Sequence, residues 1–268
     1  TQSERQSLLI TAIGSSFGAA VGTPIAGIIF GIEVTRKKLP WYCLIENAIA
    51  AGAAFFVGRF LHVSHMHLPT FPFTLKIDTL WISLVGGIIF GLTARFFMSI
   101  THWLEKFLNQ KIQNSYARIF WGGAIISTIV LMEGSMRFSG FGISTILSSL
   151  AHPLSWNIPV WKALLTILTL AVGFKGGEFM PLVFIGATLG SALSGLEPPV
   201  AMDSLQSLPY LGFVAVFAGA AKTPFAGTLM AMELFGPQFG PIAFICCWVS
   251  ALVSGKPHIY HPSASRAQ

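Results

Sequence analysis

The chain is a series of apolar runs, and several of them stop well short of the ~20 residues a helix needs to cross a bilayer. The runs lie at roughly 6–21, 24–35, 41–61, 79–104, 118–133, 158–173, 181–195, 207–221, 224–235 and 238–254, joined by polar or Gly/Pro-rich segments. A helix over 24–35 or 224–235 would rise only about 18 Å. Lipid cannot satisfy open backbone, so such short helices must meet one another inside the protein. With 53% hydrophobic and 10% charged residues and a mean hydropathy of +0.70, the chain has too little polar surface to clothe a soluble globule. The expected class is an all-α polytopic membrane protein in contact with the lipid bilayer. The 27 glycines and 15 prolines fit close helix packing and interrupted membrane segments. The net charge of +6 needs only cytoplasmic loops facing anionic lipid, so nucleic acid is not required as a partner.

Three joints stand out. Gly-Phe-Lys-Gly-Gly-Glu-Phe-Met-Pro, residues 173 to 181, puts three glycines, a lysine, a glutamate and a proline between two apolar runs. Broken backbone at membrane depth commonly binds an ion, and a helix beginning there offers unpaired N–H groups to an anion. The other two joints are Thr-Pro pairs, Thr23-Pro24 and Thr223-Pro224, and they belong to an internal repeat. Phe17, Ala20, Thr23, Pro24, Ala26, Gly27 and Glu33 recur in register as Phe217, Ala220, Thr223, Pro224, Ala226, Gly227 and Glu233. Duplicated halves with a site at their interface are a common transporter plan, and an odd number of crossings between the copies would invert one against the other. The basic run Arg36-Lys37-Lys38 is expected on the cytoplasmic side, with Glu33 near that face.

Cys43, Cys246 and Cys247 lie in or beside apolar runs and imply neither a disulfide framework nor a zinc site. His62, His65 and His67 share a Pro-containing loop without Cys or carboxylate nearby, which reads as a solvated loop rather than a metal site. No cofactor is implied. Trp41, Trp81, Trp103, Trp121, Trp156, Trp161 and Trp248 fall at run edges and read as interface anchors. The Ser139-Gly140-Phe141-Gly142-Ile143 turn reads as the start of a re-entrant segment. The chain opens Thr1-Gln2-Ser3-Glu4-Arg5 with neither an initiator Met nor a signal-peptide pattern. More protein is expected upstream.

The order of these motifs resembles the CLC family of chloride channels and anion/proton antiporters. Gly14 to Glu33 resembles the helix pair that ends the family's first half, and Gly176 to Pro181 its Gly-x-Phe-x-Pro anion-binding stretch. Ala220 to Glu233 resembles the penultimate helix pair of its second half, and Ser254 to Tyr260 the segment that brings a central tyrosine to the anion. The resemblance implies an inverted-repeat architecture of broken, tilted helices with its N-terminal part absent. It divides the chain into 1–40 (a helix pair) and 41–78 (last helix and loop) of the first repeat, 79–255 as the second repeat, and the tail 256–268. The family's first anion loop and its gating-glutamate segment would lie before residue 1. A homodimer in a bacterial inner membrane is implied as well.

Carried over residue by residue, the resemblance implies an anion site formed by Gly177, Glu178, Phe179 and Tyr260, with the amides of Glu178 and Phe179 as donors and the Tyr260 hydroxyl as a further one. Tyr260 falls one residue late relative to the family's spacing, and its alternative reading is an interfacial tyrosine. Gly-Phe-Lys-Gly-Gly-Glu resembles the fluoride-exporting, proton-coupled branch, which makes Glu178 the proton-transfer candidate. Against that stands an ion pair with Lys175, or a capping carboxylate. Two departures count: Val34 stands where the family's antiporters often carry a second carboxylate, and Met180 where the fluoride branch usually has Thr. Glu33 and Glu233 read as paired, structural carboxylates at helix ends, and Lys222 as either a snorkelling residue or a pathway cation. The function implied is transport of chloride or fluoride, coupled to protons, with a passive chloride channel or a non-transporting remnant as alternatives. An enzyme would need a constellation such as His-Glu-x-x-His, and none is visible.

Overall fold

The structure is a computed structural model that describes residues 2–35, 42–63, 66, 68–71, 76–134, 136–196, 202–256 and 259. In chain order the helices are α1 (Gln2–Val21), α2 (Pro24–Thr35), α3 (Tyr42–Phe60), α4 (Ile77–Lys111), α5 (Ser115–Glu133), α6 (Ile143–Ala151), α7 (Asn157–Ala171), α8 (Phe179–Ser194), α9 (Met202–Leu205), α10 (Leu208–Ala221), α11 (Pro224–Phe235) and α12 (Gly240–Val253). No strand occurs among the described residues. Among the described residues, only α3, α4 and α5 are both long and apolar enough to cross a membrane by themselves. At 35 residues, α4 is about 52 Å long and exceeds the hydrocarbon thickness of about 30 Å, so it must tilt or project. Its last turns, Glu105 to Lys111, are strongly polar, which suits projection into water.

Every residue of α10 is buried, and its uniformly apolar sequence suits a helix with neighbours on all sides. It crosses α8 with backbones touching: a Cβ on Gly186 would lie 2.0 Å from the Gly212 carbonyl oxygen, and one on Gly212 would lie 2.1 Å from that of Gly186. Small residues at the crossing let main chains approach this closely, which in lipid replaces the hydrophobic effect as the source of helix association.

Both Thr-Pro joints are helix breaks. α1 ends at Gly22 (φ +82) and α10 at Lys222 (φ +61), each in the left-handed region. The following amides turn back alike, Thr23 N–H to Gly18 O at 3.0 Å and Thr223 N–H to Ala218 O at 3.0 Å. Pro24 and Pro224 then open α2 and α11 at the position where a missing N–H costs nothing. The Glu33 carboxylate near the end of α2 accepts from Phe225 N–H (3.0 Å) and Ala226 N–H (2.8 Å) at the start of α11. Glu233 near the end of α11 accepts from Ile25 N–H (3.0 Å) and Ala26 N–H (2.8 Å) at the start of α2. Each helix is capped by the carboxylate of the other, so the two run antiparallel, as an inverted repeat requires. The repeat-related Phe17 and Phe217 rings stack at 5.7 Å, with Phe30 4.1 Å from Phe17.

Several expectations are corrected. Lys222 neither snorkels nor stands free in a pathway: it is buried, and its ammonium donates to Ser254 Oγ and to Ala251 O (3.3 Å) at the end of α12. Trp248 packs edge-on against Phe225 at 5.1 Å, and its indole N–H is buried without a hydrogen-bond partner among the described residues, unlike an interface anchor. Trp81, Trp103, Trp121, Trp156 and Trp161 are exposed on the helical surface. The Ser139–Gly142 turn leads into α6, nine residues long, too short to span and consistent with a re-entrant segment. The basic run 36–38, Trp41, His65 and His67 lie outside the described residues.

Candidate anion site

The loop before α8 is set by how α7 ends. Gly173 has φ +107, a conformation that suits glycine. Gly173 N–H donates to Leu170 O (3.1 Å) and Phe174 N–H to Thr169 O (3.3 Å), a wrap that consumes the last carbonyls of the helix. Arg118 of α5 finishes the end, donating from Nε to Val172 O at 3.2 Å, while its Nη1 donates to Ile112 O at the end of α4 at 3.3 Å. Beyond it, Gly176 and Gly177 are exposed, and a Cβ at either would meet nothing. Gly173 is therefore the glycine the turn demands. Gly176 and Gly177 serve by leaving the loop bare.

α8 starts at Phe179, two residues before the expected boundary, with Glu178 as its N-cap. The helical φ of −90° at Glu178 draws the Gly-Glu-Phe-Met segment into the first turn, where Pro181 fits without an N–H to lose. Leu182 N–H is bonded to Glu178 O at 3.2 Å. Among the described residues, the amides of Glu178, Phe179 and Met180 find no acceptor. Three unpaired donors at the positive end of a helix favour negative charge in front of them, with the dipole contributing about 0.3 to 2 kcal/mol before hydrogen bonds are counted.

The side chains there are unequal. The Phe179 ring is T-shaped against Phe217 at 4.8 Å and Phe17 at 5.2 Å, so both copies of the repeat hold the start of α8. Phe17 and Phe217 are legible in the sequence only as a repeat pair, with no part in the site, whereas Phe179 is expected there for its amide alone. Glu178 is partly buried, its carboxylate makes no capping bond although the residue stands at the N-cap, and among the described residues that carboxylate forms neither an ion pair with Lys175 nor a hydrogen bond. Glu105 of α4 lies within electrostatic range of it. Tyr260 lies outside the described residues; its neighbour Ile259 donates its N–H to Ala220 O at 3.2 Å, beside the α10–α11 break.

A cavity of about 310 Å³ lies between α5, α7 and this loop, lined in part by Lys162, Thr169, Lys175, Gly177 and Glu178. Lys162 went unremarked in the sequence, although a lysine inside the 158–173 run was the visible signal. Among the described residues no cluster of three or more metal-ligating side chains occurs.

The family model described as voltage gated chloride channel matches residues 1–255. A chloride/fluoride channel protein of Pseudomonas syringae pv. tomato is 40% identical over 96% of this chain and 58% of its own length. An H(+)/Cl(-) exchange transporter (ClcA) of Klebsiella pneumoniae is 26% identical over 86% of this chain and 51% of its own length. The crystal structure of a CLC-type fluoride/proton antiporter superposes with a TM-score of 0.84 at 29% identity, covering 92% of this chain and 62% of that one. A slow cyanobacterial Cl-/H+ antiporter shares the fold at a TM-score of 0.82 and 18% identity. The chain spans between half and three-fifths of the curated relatives it matches. Broken helices, reciprocal caps, bare helix-end amides and a family match running nearly end to end coincide, and the chain belongs to the CLC family of integral membrane proteins.

Proposed function

We propose that the protein carrying this chain moves chloride or fluoride across a bacterial inner membrane in exchange for protons, as a homodimer. The observation that carries this reading is the start of α8, where unpaired amides of Glu178, Phe179 and Met180 stand beside a carboxylate with no partner among the described residues. The amides lower the cost of bringing an anion out of water without a fixed positive charge that would trap it. Glu178 supplies a titratable group next to the anion, the minimum that coupling requires. Tyr260, outside the described residues, is our proposed source of a further hydroxyl donor. The named relatives support the choice of ions, one a chloride/fluoride channel protein and another an H(+)/Cl(-) exchange transporter. We assign residues 1–40 and 41–78 to the first repeat, 79–255 to the second and 256–268 to the tail.

A passive chloride channel is the second reading, and Val34 favours it because no second carboxylate follows Glu33 to relay protons. Met180 weakens a preference for fluoride by replacing a hydroxyl with a thioether. The deciding experiment reconstitutes the full-length protein in liposomes and records fluoride or chloride efflux together with proton flux. Coupled exchange predicts protons moving against the anion in the native protein and an at least tenfold loss of proton flux in Glu178→Gln, with anion efflux retained. Unchanged coupling in that variant removes Glu178 from the proton path. Anion efflux without proton flux in the native protein selects the channel, and no efflux at all selects a non-transporting remnant.

A further inference from the structure

Lys162 sits in the middle of α7 and is only 4% exposed. Its ammonium donates to Phe138 O and Gly140 O, both at 2.9 Å, and lies 5.1 Å from the centroid of the Phe184 ring. Two carbonyls and a ring face are dipoles and a quadrupole; none carries a full negative charge. Among the described residues no carboxylate comes within ion-pair distance of Lys162, and an ammonium has a third N–H for which no acceptor is found there. Holding two carbonyls in a turn needs only neutral donors, such as an amide. An isolated buried cation costs several kcal/mol unless something compensates it.

The cavity supplies the place for that something. Lys162 is part of its wall, Lys175 contributes a second cation, and Gly176, Gly177 and Glu178 of the loop before α8 close it on the side of the unpaired amides. A water occupies about 30 Å³ of liquid, so about 310 Å³ holds an anion with part of its hydration shell. We propose that this cavity is a second anion site, in which a partly hydrated halide-sized anion rests on the Lys162 ammonium before or after it meets the amides of α8. The proposal rests on the anion-transport reading above and adds to it a station built on a fixed charge. The two sites divide the work: a charge gathers the ion and strips part of its water, and uncharged amides let it pass.

The test uses the full-length protein soaked in bromide, a heavy halide whose anomalous signal locates it. A bromide peak within about 4 Å of Lys162 Nζ is expected, persisting in Lys162→Arg and lost in Lys162→Met. In liposomes Lys162→Met is expected to raise the anion concentration for half-maximal efflux about tenfold while leaving the maximal rate within about twofold. Lys162→Arg stays near the native value. A bromide peak at the Phe179 amide with none at Lys162 in the native protein overturns this inference and leaves the transport reading standing. Lack of efflux with no bromide at either place overturns both. Native bromide occupancy decides the matter even if Lys162→Met fails to fold, and an unchanged half-maximal concentration in a folded Lys162→Met also overturns it.

Discussion

A lysine in left-handed backbone asks for a reason, and Lys222 has one. At φ +61 it occupies the conformation that Gly22 adopts at φ +82 in the other copy of the repeat, at a cost of about 1 kcal/mol for a residue with a Cβ. The return is an ammonium delivered to Ser254 Oγ and Ala251 O, where it meets the negative end of α12. Ser254 in turn donates to Gly219 O at 2.8 Å, so one buried cation ties the end of α10 to the end of α12 at the break. Lys222→Gly restores the repeat and relieves the backbone, yet strips the latch, and a net loss of about 1 to 2 kcal/mol is expected. Lys222→Met keeps the strain and loses the donor, and should fall about 1 kcal/mol below the glycine variant. Thermal unfolding of the purified protein in detergent ranks the three; a methionine variant as stable as the native protein would dismiss the latch.

At the scale of elements, the capping carboxylates are the clearest case of a sequence repeat becoming a physical one. Glu33 and Glu233 each accept two amides at 3.0 and 2.8 Å, and the matching geometry predicts matching consequences. Replacing either by Gln keeps an acceptor but removes the charge at a positive helix end, with a loss of about 1 to 2 kcal/mol. The two single variants should agree within error in chemical unfolding, and a large difference between them would deny the internal symmetry. Thr23-Pro24, Thr223-Pro224 and the two glutamates were legible because polar and rigid residues stand out in apolar sequence. The start of α8 was less so, since Pro181 marks a first turn without saying which residue of that turn it is. Lys162 and the Phe17–Phe179–Phe217 cluster were harder still: their partners, Phe138, Gly140 and one another, come from distant elements that periodicity cannot bring together.

For the molecule as a whole, the seam between α8 and α10 decides whether the loop before α8 has a fixed frame. Gly186 and Gly212 meet backbone to backbone, so Gly186→Val must push α8 off the central helix. Overpacking of this kind costs about 1 to 3 kcal/mol, and here it also moves the amides at the start of α8. Reduced monodisperse yield on gel filtration, with impaired efflux from whatever folds, is expected; normal yield and normal efflux would show that the seam is not needed. The reciprocal caps carry a consequence in time as well. α2 leaves the ribosome long before Glu233 is made, and at synthesis rates of about 5 to 20 residues per second its first amides wait on the order of ten seconds or more for their acceptor. During that interval the first amides of α2 lack the acceptor that the folded structure gives them. A chain that stops before Glu233 would leave the start of α2 without that acceptor for good.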